Sequence, residues 1–136
     1  MKLNLKVVTP VKMILSDEID ELTLPTTSGE ISVLPNHIDL LTKVSPGEMV
    51  IKKGGKIENF AITGGFLEIS NNNATLLADY VIRATDIEVA KAKEAKERAE
   101  KKLSEKQGNK DFVVAQAELR KALLELKVAN RRRVTS

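Results

Sequence analysis

Arg83-Ala84-Thr85-Asp86-Ile87-Glu88 is the stretch on which the reading of this chain turns. Upstream of it, apolar residues mostly recur at every second position or run together between turn signals. Downstream they recur at three and four, a change from strand period to helix period. Thr85 stands three residues before Glu88, the spacing of a capping box. In that motif the hydroxyl accepts from an orphan amide of the first helical turn, and the carboxylate reaches back to the cap's own N–H. Asp86 and Glu88 also place negative charge at the positive end of the helix dipole. The expectation is a β domain over residues 1–84 and a helical domain over 85–136, with the first helix starting at Thr85 or Asp86. Spacing alone leaves open whether the junction is a hinge or only a helix start.

Working back from the junction, Lys2-Leu3-Asn4-Leu5-Lys6-Val7 alternates strictly and reads as a half-buried strand with Leu3, Leu5 and Val7 inward. Thr9-Pro10 ends it. Met13-Ile14-Leu15 is a short apolar run closed by Ser16-Asp17. Ile19, Leu22 and Leu24 read as the next strand, with a slip at Asp20-Glu21 that suggests a bulge. Turns fall at Pro25-Thr26-Thr27-Ser28-Gly29, at Pro35-Asn36 and at Ser45-Pro46-Gly47. Gly54-Gly55 between apolar runs is a two-residue hairpin signal. Gly64-Gly65 is a bend and Asn71-Asn72-Asn73 a turn. Ala74 to Ala78 reads as the last strand. About nine short strands with regular turn signals mean an antiparallel β-sandwich or barrel. No helix-period segment separates the strands, which excludes a parallel sheet of βαβ units.

Beyond the junction two helices are expected, from about Asp86 to Lys106 and from about Lys110 to Asn130, broken at Gly108-Asn109. Ala92, Ala95, Ala99 and Leu103 share one face of the first. Phe112, Ala115, Leu119, Ala122, Leu123 and Leu126 share one face of the second. A short connection makes the pair an antiparallel α-helical hairpin. Its alanine face permits close approach but buries little area, so the hairpin is held weakly by its own packing.

The charge distribution is uneven. Residues 1–84 carry eight basic and ten acidic side chains, and residues 85–119 carry eight of each. Residues 120–136 carry Arg120, Lys121, Lys127, Arg131, Arg132 and Arg133 against Glu125 alone. Such a patch seeks an acidic partner, or is a solvated helix end whose cations suit the negative pole of the dipole. Aromatic residues make up 3% of the chain, too few for a module built on stacked bases. There is no cysteine, hence no disulfide, thiolate metal site or cysteine nucleophile. No apolar run approaches the ~20 residues that span a bilayer.

Little in the sequence suggests catalysis. His37 is the single histidine and has no clustered acids at metal-binding spacing. Ser28 and Ser32 lack a nucleophile-elbow context. Gly54-Gly55 and Gly64-Gly65 lack the Lys-Ser/Thr and helix of a phosphate loop. The chain reads as a non-catalytic interaction part, a rigid β scaffold carrying a charged helical arm.

Four segments, in order, carry a likeness: Val7-Val8-Thr9-Pro10; Ser28-Gly29-Glu30-Ile31-Ser32-Val33-Leu34-Pro35-Asn36-His37; Gly64-Gly65-Phe66-Leu67-Glu68; and Asp86-Ile87 leading into a helix rich in Ala, Lys and Glu. Together they resemble the epsilon subunit family of F-type ATP synthases over essentially the whole chain. That resemblance implies a ten-stranded β-sandwich followed by a two-helix hairpin. It implies a rotor subunit that couples ion-driven ring rotation to ATP synthesis without making ATP itself. The sandwich would bind the gamma subunit of the shaft and touch the membrane c-ring, with Glu30 and His37 as ring contacts. The arm would fold back or extend into the head of alpha and beta subunits and block ATP hydrolysis. Arg120, Lys121, Lys127, Arg131, Arg132 and Arg133 would then meet an acidic segment of the catalytic beta subunit.

The family's regulatory ATP motif is an acidic residue, two spacers, Arg and Ala, preceded by Ile or Leu. Here it reads Ile87-Glu88-Val89-Ala90-Lys91-Ala92, with Arg98 at a further basic position. Glu replaces Asp and Lys replaces Arg, which loses the planar fork. A degenerate ATP site of Glu88, Lys91, Ala92 and Arg98 is therefore expected to bind weakly or not at all, and no other cofactor is implied. The implied place is the cytoplasmic face of a bacterial membrane, or the stromal face of a thylakoid, as a peripheral protein without transmembrane insertion. The competing reading is a free-standing adaptor whose basic arm binds nucleic acid or anionic membrane. Only the basic tail supports it.

Overall fold

The computed structural model describes residues 1–104 and 109–135; the side chains of 109–111 and 131–135 lie outside that description. The chain divides into two compact units, Met1–Arg83 and Ala84–Ser136.

The first unit is all β. Its strands are β1 (Leu3–Val8), β2 (Met13–Ile19), β3 (Glu21–Thr26), β4 (Gly29–Val33), β5 (Leu40–Val44), β6 (Gly47–Lys53), β7 (Lys56–Ile62), β8 (Gly65–Ser70), β9 (Asn73–Ala78) and β10 (Val81–Arg83). They run in the order β10-β7-β6-β3-β5-β8-β9-β1-β2, with β4 paired to β3. The two halves of this path meet at a single pair, Thr26 with Val44. Period-2 alternation explains the core: Leu3, Leu5 and Val7 point inward from β1, and Leu67 and Ile69 from β8. Leu22, Leu24, Met49 and Phe60 join them in one cluster. Among the described residues Thr26 is the buried polar one; its hydroxyl donates to the Gly29 carbonyl and accepts from the Ser28 N–H, closing the β3–β4 turn.

Several sequence expectations need correction. Ser16-Asp17 closes no strand: β2 runs through it to Ile19, with Ser16 exposed, Asp17 half-buried opposite Leu5, and Ile19 in the core. The slip at Asp20-Glu21 is a change of strand and no bulge. Ile19 ends the pairing with β1, the Asp20 N–H already donates to the Lys52 carbonyl, and Glu21 opens pairing with Lys52 of β6. A register shift does occur, between Val7 and Val8. One strand pair, β1 with β9, is parallel. β10 was missed, since three residues carry too little pattern to register. The Gly54-Gly55 hairpin is formed, with φ of 56° and 81° and Lys53 opposite Lys56.

In the second unit, a 3-10 turn over Ala84–Asp86 precedes α1 (Val89–Ser104) and α2 (Asn109–Thr135). The capping box expected of Thr85 and Glu88 does not set the helix start. Thr85 lies inside the 3-10 turn, where the Ile87 N–H donates to the Ala84 carbonyl. Glu88 sits at the cap position of α1, and its carbonyl accepts from the Ala92 N–H. The expected break at Gly108 and the end of the first helix at Lys106 lie outside the described residues.

Buried alanines mark the packing of α1 on α2: Ala92 and Ala99 on the first, Ala115, Ala122 and Ala129 on the second. Each set recurs at seven, the spacing that keeps one seam of a helix facing its partner. Ala95, Leu103, Leu119 and Leu126 are half-buried beside it, whereas Phe112 and Leu123 are exposed. The face of α2 was therefore drawn too wide. Lys102 and Glu118 pair across the two helices at 3.8 Å.

Candidate functional site

Alternation that fills the core should leave polar residues outside. On part of the β unit it does not. Phe66 of β8 lies opposite Leu77 of β9, Leu77 beside Val8 of β1, and Val8 opposite Met13 of β2. Directly paired residues share a sheet face, so the four form one apolar row across adjacent strands. Phe66, Leu77 and Met13 are 54%, 55% and 53% exposed. Lys43 continues the row on β5, opposite Phe66. Two residues further along β5 and β8, on the same face, Leu41 is exposed opposite Glu68. A contiguous exposed apolar strip on a rigid sheet is a binding surface more readily than a solvent surface.

The row borders a groove of about 620 Å³ lined by Pro10, Pro46, Gly64, Phe66, Leu77 and Asp79, among others. The glycine pair beneath it is forced. Gly65 has φ 154°, and a Cβ there would overlap the Leu77 carbonyl; Gly64 has φ 120°, with the Val44 carbonyl oxygen 3.3 Å from where its Cβ would lie. The expectation of a bend at Gly64-Gly65 understated this close approach of β8 to β9. The apolar row itself was missed, although a signal existed: Phe66 and Leu77 occupy outward positions of strands whose inward positions are already apolar.

Glu30 and His37 are not brought together. Glu30 is the second residue of β4, exposed and paired with Pro25 near the Thr27-Ser28 turn. His37 lies beyond the other end of β4, in the loop before β5. Glu30 and His37, the two residues expected as ring contacts, thus lie at opposite ends of β4, Glu30 within the strand and His37 on a loop. His37 is half-buried, its N–H donates to the Leu34 carbonyl, and its Nδ1 lies 2.7 Å from the Ile38 carbonyl oxygen.

The residues matched to an ATP site lie on or just before α1. Glu88 and Lys91 pair with each other at 3.1 Å and are both well exposed. Arg98 lies 4.0 Å from Glu94, and Ala92 is buried. The acid and the base of the motif thus face each other across one turn, both in solvent. On α2, Arg120, Lys121 and Lys127 are exposed. The side chains of Arg131, Arg132 and Arg133 lie outside the described residues.

The acidic run near β2 is ion-paired. Lys53 bonds Asp17 at 2.5 Å, Lys2 bonds Asp20, and the Gly54 N–H donates to Asp20 at 2.7 Å. The Lys53 hydrogen bond, then that of the Glu18 N–H, hold the Asp17 carboxyl below the usual range; Lys2 and the Gly54 N–H do the same for Asp20. These bonds tie the β6–β7 hairpin to β2. Among the described residues, no cluster of three or more His, Cys, Asp or Glu side chains is arranged to hold a metal ion, and no helix is long and apolar enough to cross a membrane.

Two family profiles match the chain. "ATP synthase, Delta/Epsilon chain, beta-sandwich domain" matches residues 2–84, and "ATP synthase, Delta/Epsilon chain, long alpha-helix domain" matches residues 85–130. The ATP synthase epsilon chain of Nitratidesulfovibrio vulgaris is 40% identical over 126 residues, covering 93% of this chain and 94% of its own. That of Geobacter sulfurreducens is 41% identical over 133 residues, covering 96% and 95%. By shape, the chain resembles one in the cryo-EM structure of the Euglena gracilis mitochondrial ATP synthase, OSCP/F1/c-ring in rotational state 1, with a TM-score of 0.78 at 22% identity over 94% of this chain and 81% of that one.

Proposed function

The chain belongs to the delta/epsilon chain family of ATP synthases, and from that premise we propose that it is a rotor part in which the β unit docks and the helical unit regulates. The observation that carries the docking half is the row of exposed Phe66, Leu77 and Met13 with half-buried Val8 between them. It is apolar, built on paired strands, and closed at one end by Lys43. Such a surface suits a preformed protein partner, and the gamma subunit of the shaft is the partner the family implies. Burying side chains of this size against a partner contributes about 1.5–3 kcal/mol each. Glu30, at the Thr27-Ser28 end of the unit, and His37, at the other, then report on different neighbours. Only the one whose end faces the c-ring is a ring contact.

The regulating half rests on Arg120, Lys121 and Lys127, exposed along α2, together with the basic residues that follow. Helical residues rise about 1.5 Å each, so α2 alone reaches roughly 40 Å along a shaft. In the head the basic end meets the acidic segment of the beta subunit, and opposite charges partly shielded from water there attract more strongly than on an open surface. The arm so placed blocks ATP hydrolysis. The chain contributes no catalytic group of its own, and ATP binds the Glu88–Lys91 segment weakly, because those two side chains already satisfy each other. The place of action is the cytoplasmic face of a bacterial membrane, where the chain is peripheral.

The test replaces Phe66 and Leu77 together by Glu. The variant is expected to keep the thermal transition of the β unit, since both side chains face outward, and to lose retention of the gamma subunit in a pull-down. Unchanged retention with the fold intact would remove the row from the docking role.

A further inference from the structure

The sheet face that carries the Phe66–Leu77 row holds a second row beside it, and the register fixes its members. Leu41 of β5 lies opposite Glu68 of β8, Glu68 opposite Thr75 of β9, Thr75 beside Lys6 of β1, and Lys6 opposite Ser16 of β2. Directly paired residues share a face, so Glu68 and Lys6 stand on the same side of the sheet as Phe66 and Val8. Both charges are exposed. They are two strands apart, roughly 10 Å at the usual strand spacing, too far to bond each other. Among the described residues neither takes part in an ion pair.

Strand β9 is a line of symmetry in this pattern. One strand to either side of it, the first row has Phe66 and Val8, and the second has Glu68 and Lys6. A second copy turned face to face about an axis along β9 sets Leu77 on its own counterpart, Phe66 on Val8, and Glu68 on Lys6. The last two contacts each occur twice, because a two-fold interface uses the same patch on both partners. Apolar groups then meet apolar groups, and each charge meets its opposite. An axis along the first row instead would set Lys43 against its own counterpart. Sheets packed face to face cross at about 30°, so contact concentrates on the residues around β9. Two rows on a face roughly 20 Å wide bury on the order of 1,000 Å² or less in total, the size of a weak, transient interface.

We propose that the free chain pairs with a second copy of itself through this face, about a two-fold axis along β9, with Glu68 of each copy set on Lys6 of its partner. The pair covers the apolar row while the chain is outside the complex. It also competes with the shaft for that row, so a chain without a shaft keeps Phe66 and Leu77 out of water. The competition rests on the reading of the row as the docking surface; the pairing itself does not.

The experiment takes the full chain without other subunits and reads its mass by sedimentation across concentration. A weak pair has a Kd between about 1 μM and 1 mM, so the mass should rise from one chain towards two over that range. Raised salt should lower it, since the paired charges are only partly shielded from water. Glu68→Lys alone, or Lys6→Glu alone, sets like charges together twice. Each should weaken pairing about tenfold or more, with the thermal transition unmoved because both side chains face solvent. Mixing the two variants should restore pairing, since each then offers the charge that the other needs. Both exchanges in one chain should restore it as well. A mass of one chain at every concentration, single variants that pair like the unaltered chain, or a mixture that stays apart would overturn the proposal. Phe66→Glu with Leu77→Glu separates it from the docking reading, and should neither pair nor retain the gamma subunit. If that variant no longer pairs yet retains gamma, self-pairing stands and the docking reading is lost. If it pairs as before yet loses gamma, the docking reading stands and self-pairing is lost.

Discussion

The two units of this chain meet the same requirement, burial of apolar surface, with opposite materials. The β unit buries Phe60, Leu22, Leu24, Met49, Leu67 and Leu76 to near completion. The helical unit buries mostly alanines, Ala92, Ala99, Ala115, Ala122 and Ala129, with Ile87 and Val128 the larger side chains among them. A buried Leu or Phe side chain stabilises by about 1.5–3 kcal/mol, a buried methyl-sized group by about 0.8. The first unit is therefore a platform that a partner can load without deforming it. The second is a pair of helices with high intrinsic propensity, rich in Ala, Lys and Glu, joined along a seam that contributes little. Such helices persist when the seam opens. The difference suits one unit for constant attachment and the other for changing position.

The largest effect should come from the platform. Phe60→Ala empties a fully buried site, over which Arg83 also stacks at 5.7 Å. It should cost about 3–5 kcal/mol in denaturant unfolding of the β unit. A cost well below that would put the two units on an equal footing and break the comparison. Gly65→Ala should follow, at about 1–3 kcal/mol or more, because a Cβ there overlaps the Leu77 carbonyl and the backbone is left-handed. Here β8 and β9 must separate, which chemical-shift changes confined to Phe66 and Leu77 would report.

Ala115→Leu probes the seam. Overpacking a site made for a methyl group costs about 1–3 kcal/mol, and the loss should appear only in the helical signal while the β unit unfolds as before. A shift in both transitions would mean that the seam carries more than the hairpin.

The smallest effect should be electrostatic. Asp17 and Asp20 have folded-state pKa values lowered below their unfolded values, chiefly by Lys53 and Lys2. Their contribution is fully present above the unfolded value near 3.8 and is lost as pH falls through the lower folded values. Asp17→Asn with Asp20→Asn should therefore lower β-unit stability slightly at pH 7, and the gap should close in strong acid. A gap that widened on acidification would reverse that sign.

Much of the fold was legible because alternation is a local signal. Leu3, Leu5 and Val7, the Gly54-Gly55 turn and the change of period near Arg83 all declare themselves within a few residues. Strand changes did not. Asp20 looks like a bulge until β6 is known to lie beside Glu21, and that partnership spans more than thirty residues. Of the site, the basic end of α2 was visible as charge. The Phe66–Leu77–Val8–Met13 row was not, since its members come from four strands and share a face only through long-range pairing. The separation of Glu30 from His37 was hidden in the same way, behind the direction of β4.

The division of labour itself is tested by removing residues 86–136 and assembling the ATP synthase complex with the remaining β unit. The account predicts a complex that still holds the shortened chain and hydrolyses ATP faster than the complete one, with and without an ion gradient. A complex that hydrolyses ATP at the unaltered rate under both conditions, or one that no longer retains the β unit, would contradict it.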